Sequence, residues 1–178
     1  MSTITELLRS PEFVGTWTLV PDGSMFVFEN KTMWGLANVS GRFTEFRGEG
    51  ELTSNGTVSG RIDITAQSLN TKLGMRDRHL RSADFFDVEK YPDIVITVSG
   101  AEPTDGDELN LQAELSARGR TVPLPLRAKI EVLDDGGIRM TTKAAVEREE
   151  LGVSGNMAGM MGKTTTLTAY AVFRREGS

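Results

Sequence analysis

The sequence predicts an all-β chain closed into an antiparallel barrel, with one short helix inserted and another short helix at the N-terminus. Three observations predict it. Apolar residues recur at every second position in segment after segment, the connections are short and carry turn chemistry, and no linker or repeat divides the 178 residues.

Period-two alternation is plainest in the middle of the chain. Ile62, Ile64 and Ala66 alternate with Arg61, Asp63 and Thr65, and Ile94, Ile96 and Val98 follow the same rule. Leu109, Leu111, Ala113, Leu115 and Ala117 form one dry face, and Val122, Leu124, Leu126, Ala128, Ile130 and Val132 form another. Ile138, Met140, Thr142, Ala144 and Val146 oppose Arg139, Lys143 and Glu147. Pro21-Asp22-Gly23, Ser54-Asn55-Gly56, Asp105-Gly106-Asp107, Arg118-Gly119-Arg120 and Asp134-Asp135-Gly136-Gly137 supply residues that tolerate turn backbones. Roughly eight or nine long strands result, and closure into a barrel leaves no exposed edge. A two-sheet sandwich fits the same alternation and stays open as an alternative.

Two segments read as helices. Thr3 to Arg9 has a capping residue at its start and Pro11 beyond its end, within an N-terminal extension over 1–14 that precedes a barrel domain over 15–176. Leu73 to Ala83 makes the second, with Met75, His79 and Leu80 as its narrow apolar face.

Lys plus Arg total 20 against 25 Asp plus Glu, a net charge of −5. That balance argues against nucleic acid as a partner. Cysteine is absent, so there is no disulfide, thiolate nucleophile or zinc-thiolate cluster. No stretch approaches the roughly 18 apolar residues of a membrane span, so stable membrane insertion is not expected. Met1 to Gly15 lacks a basic start followed by an apolar run, so the expected location is the cytoplasm.

A search for catalytic chemistry finds little. His79 is the single histidine, set between Arg78 and Arg81, with no Gly-x-Ser-x-Gly in the chain. No catalytic residue and no metal site is assigned, because one histidine is too few for a zinc centre. The acidic pairs Asp105/Asp107 and Asp134/Asp135 read as solvated turns. Met157, Met160 and Met161 lie in a glycine-rich run of the flexible apolar kind that adapts to a greasy partner.

One stretch is more particular than a generic barrel. Ser68 and Thr71, then Arg76-Asp77, His79-Leu80-Arg81-Ser82, Asp84-Phe85-Phe86-Asp87 and Tyr91-Pro92 resemble the signature of the YceI-like family of lipocalin-like barrels. Trp17 through Ser24, Gly41-x-Phe43, and Glu147-Arg148 with Gly152-Val153 add to the resemblance. It departs where relatives commonly carry histidines, at Gly23 and around Thr32 to Trp34, and Ala113 to Ser116 replaces a Gly-x-Leu-Thr.

The resemblance implies non-enzymatic binding, carriage or storage of a long-chain lipid such as a polyisoprenoid, with no cofactor beyond that bound molecule. Apolar-inside alternation nominates Ile62, Ile64, Ile94, Ile96, Leu109, Leu111, Leu124, Leu126 and Ile130 as cavity lining. Phe28, Trp34, Phe85 and Phe86 are expected near one end, with Met157 and Met160 as further lining. Arg76, Asp77 and Arg81 are expected to fasten the inserted helix by pairing with one another or with Asp84 and Asp87. The alternative role for Arg76 or Arg81 is contact with an anionic head group. Two rival functions stay open: an enzyme using His79 on a lipid-like substrate, and a ligand-free interaction module. A homodimer through a barrel face is an open partner.

Overall fold

The computed structural model describes residues 3–32, 38–153 and 161–177. Within them run β1 (Gly15–Leu19), β2 (Met25–Thr32), β3 (Asn38–Phe43), β4 (Phe46–Leu52), β5 (Val58–Thr65) and β6 (Leu69–Asn70). After these come β7 (Asp93–Pro103), β8 (Glu108–Ala117), β9 (Arg120–Pro123), β10 (Leu126–Val132), β11 (Ile138–Glu147) and β12 (Met161–Arg175). Helix α1 (Thr3–Arg9) precedes β1, and α2 (Gly74–Arg81) lies between β6 and β7.

These twelve segments make eight long antiparallel strands, because four strands are bent into two pieces each. β1 continues as β2 across the Pro21–Gly23 turn, and both flank β12. β3 continues as β4, β5 as β6 and β9 as β10. The strands follow one another as a meander until β12 returns to β1 and closes the ring. Trp17 sits at that closure, opposite Gly50 on one side and Arg175 on the other. Closure removes the sandwich alternative.

Each bend has a local cause. At Leu124 the chain lies between Pro123 and Pro125, which lack the N–H that a ladder needs, so the strand expected over Val122 to Val132 breaks there. At Thr44 and Glu45 the backbone N–H groups donate to the Ser68 hydroxyl at 3.1 and 3.0 Å. That hydroxyl donates in turn to the Thr65 carbonyl at 2.7 Å, tying two bends together.

Alternation sorts the residues by face. Along β8, Leu109, Leu111, Ala113, Leu115 and Ala117 are buried, and along β10 Leu126, Ala128 and Ile130. Val132, at the end of β10, is exposed. Outward positions carry cross-strand ion pairs: Arg127 with Glu108 at 3.4 Å and Arg139 with Glu131 at 3.2 Å. The charged face is therefore the outer, wetted one.

Helix α2 differs from its expected orientation. Its inward residues are Asp77 and Leu80, while Met75 is 75% exposed and His79 half-buried. The carboxylate overrides the apolar pattern because it has partners inside. Asp77 Oδ1 accepts the Thr71 backbone N–H at 2.9 Å and its hydroxyl at 2.5 Å. Among the described residues, no helix is long and apolar enough to cross a membrane.

The approach of β3 to its neighbours requires glycine at Gly41. A Cβ there would lie 2.8 Å from the Phe28 ring, 2.8 Å from the Thr71 methyl and 2.9 Å from the Asn70 carbonyl. Gly41→Ala is expected to destabilise the fold by about 1–3 kcal/mol through overpacking. Urea unfolding checks this, and an unchanged midpoint would show that the neighbours give way freely.

Candidate ligand cavity

A barrel of eight strands has an interior that side chains can just fill or that holds one small guest. Here the interior holds two apolar chambers, of about 100 Å³ and about 160 Å³. Each far exceeds the roughly 10–15 Å³ that a single water requires. Their walls share Phe26, Ile96, Leu126, Thr142 and Ala169, so these five residues form a waist between two adjacent chambers. Phe26 is held there by an edge-on contact with Phe46, ring centres 4.7 Å apart.

The first chamber lies beside α2. The segment after that helix brings Phe85 and Phe86 into the wall beside Leu80. Phe28, Phe43 and Phe86 form a triangle of rings, with centres separated by 5.4, 6.2 and 6.2 Å. Two buried polar residues, Asn30 and Arg148, also line this chamber. Arg148 donates to the Val153 carbonyl at 2.9 Å, while Asn30 donates to the Thr164 carbonyl at 3.2 Å and accepts from Thr165 at 2.6 Å. The second chamber lies at the other end, where α1 and the following turn contribute Leu7, Leu8 and Phe13.

The nominated residues fall on these walls. Phe28, Ile64, Phe85, Phe86, Ile94 and Leu124 line the first chamber, and Ile62, Leu109, Leu111 and Ile130 the second. Ile96 and Leu126 stand at the waist. Trp34, Met157 and Met160 lie outside the described residues.

Arg76 and Arg81 make different contacts from the ion pairs expected for them. Arg76 donates to the Thr71 hydroxyl and carbonyl, both at 2.9 Å. Arg81 donates to the Gln67 carbonyl at 3.0 Å and the Leu69 carbonyl at 2.9 Å. Both guanidiniums thus clasp the main chain around β6 and fasten α2 to the barrel. His79 stands at the surface, half-buried, with its ring edge against Phe85 and its Nε2 3.5 Å from exposed Asp84. It lines neither chamber.

Sequence reasoning placed Thr142 on the dry face of its strand without nominating it as lining, and it missed the aromatic waist residue Phe26, the inner Ala169 and the whole contribution of α1. The Ile4, Leu7, Leu8 spacing was the available signal for α1, since it places three aliphatics on one helical face.

Comparison with known proteins agrees with this architecture. The model of the YceI-like domain matches residues 17–173. The chain belongs to the YceI-like family. Protein YceI of Escherichia coli O157:H7 is 34% identical over 98 residues, which is 54% of this chain and 51% of that protein. Protein YceI of Salmonella arizonae is 32% identical over a stretch of the same length. The chain thus spans about half the length of the curated YceI relatives it matches. Among solved structures, BcnA of Burkholderia cenocepacia superposes with a TM-score of 0.78 at 14% identity, covering 86% of this chain and 98% of BcnA. A polyisoprenoid binding domain from Saccharophagus degradans gives 0.74 at 14% identity, covering 89% and 98%. At these identities the superpositions establish a shared YceI-like fold.

One ionic contact on the outer face of β5 has a defined pH response. Arg61 donates to Asp63 from Nε at 3.1 Å and from Nη2 at 2.9 Å, and these bonds hold the Asp63 carboxyl below the ordinary carboxylate range. A depressed folded-state value stabilises the protein above the unfolded carboxyl's pKa of about 4, and the gain disappears as pH falls through the folded value. Asp63→Asn is therefore expected to lower the urea midpoint slightly at neutral pH, Arg61 being largely exposed. Urea unfolding curves of both proteins are expected to draw together as pH falls below about 4 and to meet only once pH is below the folded carboxyl's depressed value. A midpoint difference that persists there would assign the loss to packing instead.

Proposed function

We propose that this protein carries or stores a long apolar lipid of the isoprenoid type, lying lengthwise through both chambers without covalent attachment. The observation that carries this reading is the shared waist: two adjacent apolar chambers with only a few side chains between them suit a slender hydrocarbon better than a compact guest. The name of the Saccharophagus degradans domain, which describes polyisoprenoid binding, supports the same ligand class.

In this reading Phe28, Ile64, Phe85, Phe86, Ile94 and Leu124 contact one half of the chain, and Ile62, Leu109, Leu111 and Ile130 the other. Ile96 and Leu126 flank its middle. Arg76 and Arg81 act as fasteners of α2, because their donors meet backbone carbonyls and the Thr71 hydroxyl. The surface position of His79 favours binding over catalysis, since a general base must reach its substrate.

The binding force is desolvation of the tail, worth about 25 cal/mol for each Å² of apolar surface removed from water. Native mass spectrometry of gently purified protein, followed by organic extraction, is expected to show a bound hydrocarbon-tailed lipid, or uptake of added geranylgeraniol. Ala169→Trp fills the waist and is expected to weaken geranylgeraniol binding by at least about tenfold, equivalent to about 1.4 kcal/mol. Absence of any isoprenol binding, or binding indifferent to a filled waist, would remove the carrier reading.

A further inference from the structure

We propose that the segment from Thr3 to Phe13 is a built-in stopper that sets how long a hydrocarbon the barrel accepts. The inference rests on the carrier reading and adds a determinant of ligand length, located outside the part of the chain that matches the family model, which starts at residue 17.

The argument begins with spacing. In Thr3–Arg9, Ile4, Leu7 and Leu8 fall at i, i+3 and i+4 and so share one face of α1. Ile4 is 2% and Leu8 8% exposed, and both belong to the barrel's own hydrophobic core. A helix of seven residues is too short to persist alone in water, so packing onto the barrel end holds it. Leu7, Leu8 and Phe13 then form part of the wall of the second chamber.

The segment is also pinned from the barrel side. Trp17, on the closing strand β1, donates its indole N–H to the Phe13 carbonyl at 2.9 Å. The Phe13 ring stacks on Trp17 with centres 6.1 Å apart and planes 18° from parallel. Between helix and clamp the chain turns tightly: Ser10 N–H donates to the Leu7 carbonyl and Phe13 N–H to the Ser10 carbonyl, both at 3.1 Å. The result is an apolar end wall fixed at two places, with its inner surface supplied by side chains of this extension.

A wall of that kind selects by length. A chain that ends before Leu7 and Phe13 is fully sheltered, whereas a longer one must displace them or leave carbons in water. Each stranded methylene costs about fourfold in affinity, so one extra isoprene unit is decisive.

The test measures dissociation constants of farnesol, geranylgeraniol and solanesol for the full chain and for variants. Replacing Leu7 and Phe13 together by alanine deepens the second chamber and is expected to move the solanesol-to-farnesol affinity ratio at least roughly tenfold toward solanesol. Leu7→Trp shortens the chamber and is expected to move the ratio the opposite way. Circular dichroism confirms folding, and if the double variant fails to fold, Leu7→Ala alone at its half-buried site decides the matter. A ratio unchanged in folded variants overturns the stopper while leaving the carrier reading intact. Failure of all three isoprenols to bind the unaltered protein overturns both.

Discussion

Everything in this structure depends on the pairing of β1 with β12. Once that ladder forms, every long strand has two neighbours, and the sheet has a single inside and a single outside. Side chains that alternate along each strand must then divide between a wet exterior and a dry interior. The division is visible in β10, where buried Ala128 and Ile130 alternate with Arg127, Lys129 and Glu131. An open sheet with the same sequence would have no reason to gather its Ile, Leu and Phe residues around an axis.

The long strands leave a tall interior, and the residues facing it are too small to fill its length. Ala169 and Thr142 contribute little bulk at mid-height, and Phe26 stands with them in the wall common to both chambers. The bends matter too: the one between β5 and β6 creates the seat on which α2 rests. The segment that most strongly resembles the family signature is therefore largely a piece of joinery. Ser68 ties two bends, Thr71 and Asp77 lock the start of α2, and Arg81 grips its end.

Much of this was legible from residue order alone. Period-two alternation located the strands and their inner faces, and the two helical segments were evident from caps, prolines and spacing. The bends were harder to see, because strand alternation continues through Leu124 even though Pro123 and Pro125 interrupt the ladder. Orientation of α2 was misjudged at Met75 and Asp77 because a pattern of apolar residues cannot register a carboxylate that finds N–H and O–H partners inside. The waist was invisible for a different reason. Phe26, Thr142 and Ala169 come from distant parts of the chain and converge only when the ring closes. Likewise, α1 read as a helix but gave no sign that its destination was the end of the barrel.

The way Arg76 and Arg81 hold α2 has a consequence of its own. Three of their four hydrogen bonds end on peptide carbonyls, groups that every amino acid supplies. A grip of this sort is indifferent to the exposed side chain at Gln67, so that position can drift through mutation without loosening the helix, whereas Leu69 is fixed by its own burial in the core. The two arginines, Asp77 and Thr71 carry the specification, which concentrates the polar attachment in four codons.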